Sequence, residues 1–161
     1  MLKTLESIDT EPLLNCYYKL EPEISWVVSN WSQQTGIQYR RDAVSQTEPC
    51  ESLKNGRTEW DYCFLHDIYK NTIIEELVTK YNLFRTRLMW VEPKSCYTIH
   101  KDHSTRIHVP IITNPGALFV FRKGFMFNLE AGKIYWTDTT LEHTFANFSE
   151  HPRLHLVGCI K

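Results

Sequence analysis

No stretch of this 161-residue chain approaches the roughly 18 consecutive apolar residues that a membrane-spanning helix needs. Its N-terminus, MLKTLESIDTEPLLNCYY, does not join a basic start to an unbroken apolar run, so the expected location is the cytoplasm and no membrane partner is expected. Long basic tracts are also missing. Formal net charge is −1 and the tight basic pair Arg40-Arg41 is too small to track a phosphate backbone, which sets nucleic acid aside as a partner. The five cysteines (Cys16, Cys50, Cys63, Cys96 and Cys159) are odd in number and scattered, and none forms a C-x-x-C pair. They read as reduced structural thiols, and a zinc ribbon is excluded for want of paired ligands. No internal repeat or low-complexity tract is present.

What is there suits one globular core. Hydrophobic residues make up 42%, aromatics 13% and charged residues 23%, an ordinary soluble composition rich in rings that excludes disordered and fibrous classes. The length favours a single domain over residues 1–161.

The chain divides by periodicity. Residues 1–83 read as mostly helical. Ile24, Val27, Val28 and Trp31 fall at i, i+3, i+4, i+7 just after Pro22, and Ile73, Ile74, Leu77, Val78 and Tyr81 form a second stripe that Thr72 and Glu75 are placed to open as a capping box. Residues 32 to 60 between them are polar and rich in turn formers, and predict loops with an irregular strand. From Phe84 the period becomes 2, in runs at 84–91, 96–100, 106–112, 117–122, 125–130, 133–137, 142–148 and 153–160. Lys123-Gly124 and Ala131-Gly132 mark tight turns where glycine supplies positive φ. Eight short strands with no long helix between them predict an antiparallel sandwich or jelly roll, an α+β chain that is mainly β. Pro110 cannot donate to a ladder, so its strand is expected to be bulged or at an edge there.

Within these strands, CYTIHKDHSTRIHVPI (96 to 111) gathers His100, Asp102, Arg106 and His108 at even positions, where alternate residues share one face. His100 and Asp102 project about 7 Å apart in one direction and can converge on one ion. An H-x-D pair alone is a weak signal, as readily a surface histidine near an aspartate. His143, opening the seventh run in DTTLEHTFANF, is a third donor, and two imidazoles with one carboxylate make the facial set of non-haem Fe(II) oxygenases. Arg153, ten residues on, leads into the apolar LHLVGCI; a guanidinium there needs an anion, and either a dicarboxylate cosubstrate or a surface pairing with Glu142 or Glu150 supplies one. Trp90, Tyr97, Tyr135 and Trp136 are available to wall a cavity, although aromatics at this spacing commonly fill a core.

The order H-x-D, then R-x-H-x-P-I at 106–111, then a distal histidine, then an arginine in RLHLV resembles the Fe(II)/2-oxoglutarate dioxygenases of the aspartyl/asparaginyl β-hydroxylase family, over about residues 84 to 160. The resemblance implies a double-stranded β-helix of eight strands, cupin-like, with the N-terminal helices packed on one sheet. It implies that His100, Asp102 and His143 hold Fe(II), that Arg153 grips the distal carboxylate of 2-oxoglutarate, and that Arg106 and His108 lie near the cosubstrate. For His108 a hydrogen-bonded core histidine is the competing reading. The activity implied is O2-dependent hydroxylation of an amino-acid residue with release of succinate and CO2. The animal membrane-anchored members have glycine where Asp102 stands. The H-x-D version is similar to bacterial and viral members, among them enzymes acting on free proline, so the expected substrate is an aspartyl or asparaginyl side chain in a protein or peptide, or a free amino acid. His103, His151 and His155 have no matched role. Two rivals remain: a cupin-like metal- or ligand-binding module that is not an oxygenase, and a structural jelly roll without metal.

Overall fold

The computed structural model describes all residues, 1–161. Where the sequence alternates, so does burial. Along Ala117–Phe121 the odd residues are buried and the even ones half-buried, whereas His143–Asn147 and all of Arg153–Ile160 but its last residue are buried on both faces. In chain order the strands are β1 (Leu2–Ser7), β2 (Val27–Val28), β3 (Ser32–Gly36), β4 (Gln38–Arg40), β5 (Tyr62–Leu65), β6 (Phe84–Val91) and β7 (Ser95–Cys96). They continue with β8 (Thr105–Ile112), β9 (Ala117–Phe121), β10 (Phe125–Asn128), β11 (Lys133–Thr137), β12 (His143–Asn147) and β13 (Arg153–Ile160). The helices are α1 (Glu11–Leu20) and α2 (Ile73–Lys80).

The last eight strands form two facing antiparallel sheets in the orders β11-β8-β13-β6 and β10-β9-β12-β7. The chain crosses from one sheet to the other at nearly every step, staying within a sheet only at the β9–β10 hairpin, which turns through Gly124 at φ +91°. This is the jelly roll expected from periodicity, and the bounds of three runs, 84–91, 133–137 and 153–160, are the same in both. The second run is shorter: only Ser95–Cys96 is laddered, followed by an isolated antiparallel bridge between His100 and His143. Pro110 pairs with His155 beside a bulge in β8, where Ile111 is the extra residue between the pairs Ile112–Leu154 and Pro110–His155, and β11 pairs with β8 only over Arg106 to His108. At Pro110 the missing N–H therefore leaves no β11 ladder bond unmade.

The first half differs from its periodicity. The stripe Ile24 to Trp31 is not a helix. A single 3₁₀ turn at Glu21–Glu23 ends at Ile24, whose backbone is extended, and β-branched Val27 and Val28 pair with Gln34 and Gln33 in a hairpin. Both valines are exposed, so three-four spacing over so short a run was coincidence rather than a buried face. Residues 1–83 are likewise not mostly helical: their α-helices have ten and eight residues, and β1, β3 and β2 extend the larger sheet to the order β1-β11-β8-β13-β6-β3-β2. The unforeseen helix is α1, which Pro12 opens and which buries Leu13, Tyr17 and Leu20. α2 forms as its stripe predicts, with the Thr72 hydroxyl accepting from Ile74 N–H at 3.2 Å; Glu75 caps Asn71 N–H at 2.6 Å instead of closing the box on Thr72.

Both helices pack on the outer face of the larger sheet. Leu13, Tyr17, Ile74 and Leu77 meet Leu88, Ile107, Val109 and Leu156 in one core. A second core of Val91, Phe119, Phe121, Tyr135 and Phe145 lies between the sheets. Leu156, fully buried, points to the helices and away from the inter-sheet space. Leu156→Ala is expected to lower stability by about 2–5 kcal/mol, read as a fall in the urea midpoint with little change in slope. All five cysteines are free, and no helix is long and apolar enough to cross a membrane.

Candidate metal centre

His143 starts β12 and His100 lies on the chain crossing beneath it. Their backbones exchange both hydrogen bonds of an antiparallel pair at 2.9 Å, which sets the rings side by side with centroids 4.5 Å apart. The Asp102 N–H donates to the Thr139 carbonyl at 2.8 Å, bringing its carboxylate to the same spot. Nε2 of His100 is 4.0 Å from Asp102 Oδ1, and Nε2 of His143 is 3.6 Å from Oδ2. Ligands each about 2.1 Å from one ion lie at most about 4.2 Å apart, so these separations fit a shared divalent ion.

The protonation pattern fits as well. Each Nδ1 lies 2.8 Å from the carbonyl two residues before it, Thr98 for His100 and Leu141 for His143, an acceptor that fixes the Nδ1–H tautomer and leaves the Nε2 lone pair facing inward. Burial lowers the pKa of His143, which keeps it neutral and able to ligate. Burial by itself would raise the Asp102 carboxyl, but the Arg106 guanidinium outweighs it by charge and hydrogen bond, so the group stays ionised with a lowered pKa.

Arg106 donates from Nε to Asp102 Oδ2 at 2.6 Å and from Nη2 to Glu59 Oε1 at 2.9 Å, while Nη1 is buried without a partner. The other Glu59 oxygen accepts from the Ser104 hydroxyl. Glu59 is 3% exposed and comes from a 3₁₀ turn (Glu59–Asp61) at the end of the polar segment 32 to 60. No periodicity marks it; only the fold carries this carboxylate to the cluster of His100, Asp102 and His143. Its loss is expected to free Arg106 and let Asp102 turn: Glu59→Gln should weaken Mn(II) binding about 10–100-fold, measured by electron paramagnetic resonance.

The remaining sequence-chosen residues meet in the same cleft, about 510 Å³ in volume. Arg153 is 1% exposed, with Nε and Nη1 unpartnered and its guanidinium 3.3 Å above the Phe145 ring. The surface alternative is thereby corrected: Glu142 pairs with Arg122 and Glu150 with Lys94, and burial pushes the Arg153 pKa down to about 9. His108 is buried with neither ring nitrogen bonded, so it is not a hydrogen-bonded core histidine. Burial, then the nearby Arg153 charge, holds its pKa well below the usual range.

Of the four candidate aromatics only Tyr97 lines the cleft. Tyr135 sits in the inter-sheet core, and Trp90 and Trp136 lie under the helices. Sequence reasoning missed Arg85 and Arg87, which repeat on β6 the alternate-charge signal of the opening segment, and His155, buried with both nitrogens unbonded beside His108. His151 and His103 are exposed.

A jelly roll whose two sheets enclose two imidazoles and a carboxylate in one cluster is a cupin-like fold with a candidate site for one metal ion. The family model described as aspartyl/asparaginyl beta-hydroxylase matches residues 38–160, and the chain belongs to that family. It is similar to L-proline cis-4-hydroxylase of Rhizobium meliloti, 30% identical over 95 residues that make up 55% of this chain and 34% of that protein. The chain thus spans about a third of the curated relative it matches. Among solved structures, an oxidoreductase of the 2OG-Fe(II) oxygenase family from Burkholderia pseudomallei shares the fold at TM-score 0.69 and 12% identity, over 98% of this chain and 82% of that one. HygX from Streptomyces hygroscopicus, with nickel, 2-oxoglutarate and hygromycin B bound, does so at TM-score 0.56 and 9% identity, over 98% and 81%.

Proposed function

We propose that this chain is an Fe(II)/2-oxoglutarate-dependent hydroxylase of an amino acid, free or within a peptide or protein. When bound, the ferrous ion and 2-oxoglutarate supply the oxidising power of the reaction, which takes up O2, places one of its oxygen atoms on substrate and releases succinate and CO2. His100, Asp102 and His143 would hold the ion, and Arg153 would take the distal carboxylate through its planar fork. His108, neutral and with free ring nitrogens, would offer a hydrogen bond to the oxoacid. Arg106 serves the cosubstrate indirectly, since two of its nitrogens hold Asp102 and Glu59. The jelly-roll walls exclude water from the reacting atoms.

The observation that carries this reading is Arg153. A buried guanidinium without an anion, in the same cleft as the ligand set, is costly unless a ligand completes it. A metal-binding cupin with no oxoacid has no use for that cation. Family membership and the likeness to a proline hydroxylase support the hydroxylase reading and leave open whether the substrate is an aspartyl or asparaginyl side chain or a free amino acid such as proline. Anaerobic addition of Fe(II) and then 2-oxoglutarate is expected to raise a weak visible charge-transfer band. Ion uptake without the band would favour the plain cupin, and no uptake a structural jelly roll. Aerobic mass spectrometry should then find a gain of one oxygen on L-proline or on an aspartyl or asparaginyl peptide.

A further inference from the structure

Four buried arginines line the cleft; two are partnered within the protein, and the proposed function assigns a third. Arg85 donates from Nε to the Pro49 carbonyl at 2.9 Å and from Nη2 to the Glu51 carbonyl, with Nη1 3.6 Å from Glu59 Oε1. Its φ of +46° sits at the bulge between β6 and β13 and turns it toward that loop. Arg106 is held by Asp102 and Glu59, and Arg153 is the residue proposed above to take the distal carboxylate of 2-oxoglutarate. Arg87 remains. It is 8% exposed, Nη1 donates to the Gln34 side-chain oxygen at 3.1 Å, Nε is buried without a partner, and no carboxylate pairs with it.

Its place in the sheet separates it from Arg153. Arg87 lies opposite Val157 of β13, which on its other side faces His108 of β8, whereas Arg153 lies opposite Val91. Four residues of strand, about 13 Å, divide the two positions. Of the three carboxylate residues lining the cleft, Asp102 and Glu59 are engaged with Arg106 and Arg85, and Glu51 is exposed and forms no ion pair. A dianionic cosubstrate shared between a ferrous ion and Arg153 leaves Arg87 uncompensated. The Tyr97 hydroxyl, in the same cleft, is also buried without a partner and adds a neutral donor.

Resting on the hydroxylase reading, we infer that Arg87 is the substrate-carboxylate subsite: the substrate carries a carboxylate, which Arg87 binds and Gln34 orients by holding Nη1. This selects an aspartyl side chain or the α-carboxylate of a free amino acid and rejects the isosteric amide, because an amide leaves the cation buried and unpaired.

The test uses the full chain loaded with redox-inert Mn(II) and then 2-oxoglutarate, followed calorimetrically. Two matched pairs are titrated next: L-proline against L-prolinamide, and N-acetyl-aspartate N-methylamide against its asparagine counterpart. In the unmodified protein the carboxylate member of at least one pair should bind at least about tenfold more tightly. Arg87→Gln should reduce that ratio below about threefold while 2-oxoglutarate affinity stays within about twofold, and Arg87→Lys should keep part of the preference. Absence of carboxylate preference in both pairs overturns the inference without recourse to any variant. So does a preference that survives Arg87→Gln, or a fall in 2-oxoglutarate affinity in its place, which would assign Arg87 to the cosubstrate. Failure of Mn(II) and 2-oxoglutarate to bind at all overturns the hydroxylase reading, and this inference with it.

Discussion

His143→Ala is expected to reduce metal-dependent 2-oxoglutarate turnover by more than about a hundredfold while the β-sheet circular dichroism spectrum remains. The side chain is one of the three proposed donors, and no other His, Cys, Asp or Glu joins their cluster to replace it. The fold should survive because His143 is tied to His100 through backbone groups, which alanine keeps, and the rest of β12 stays laddered to β9. The side chain gives up a bond to the Leu141 carbonyl and its stacking on Phe119 at 5.1 Å, a stability loss of about 1–2 kcal/mol. Succinate release measured with saturating Fe(II), beside the unfolding curve, separates the two effects. Undiminished turnover by a folded variant would remove His143 from the metal centre.

Substitutions at Arg153 should move function and stability in opposite directions. Arg153→Lys keeps a charge but exchanges a planar fork for a point donor, so 2-oxoglutarate affinity in the Mn(II)-loaded protein should fall about 10–100-fold, on the scale of one charge-assisted hydrogen bond. Arg153→Met should abolish measurable 2-oxoglutarate binding and yet stabilise the ligand-free chain. Burial depresses the guanidinium to about 9 because no carboxylate of the protein pairs with it, and the Phe145 ring and nearby Tyr97 offset only part of that cost. Each kcal/mol relieved raises the melting temperature by about 2–4 °C in a chain of this size. A methionine variant that melts lower, or a lysine variant with unchanged affinity, would show that Arg153 is a packing residue.

The parts of the site that were legible share one property: in the sequence they stand as charge within or beside apolar runs, even at His100 and Asp102, where the structure has an isolated bridge and no strand. His100 and Asp102 stood out because charge occupied one side of an apolar run, and Arg153 because it led into an apolar strand. Arg85 and Arg87 carried the same signal in FRTRLMWV. Glu59 carried none, since its 3₁₀ turn has no period and its partners, Ser104 and Arg106, are more than forty residues away. The helix expected at Ile24 to Trp31 failed for a related reason: over eight residues the apolar spacing of a helix is also met by a turn and two valines at a sheet edge.

By itself the sequence determined the switch to period 2 at Phe84, the number and order of the eight jelly-roll strands, and the donor types available to a metal. These are local properties, set by side-chain alternation and by turn residues a few positions apart. Tertiary structure alone decided that His100 and His143 share a backbone bridge, that Arg153 is buried without an anion, and that Glu59 braces Asp102 through Arg106. Each of those facts depends on which strands lie side by side across two sheets and on how much water the packing removes, and neither is written in the spacing of neighbouring residues.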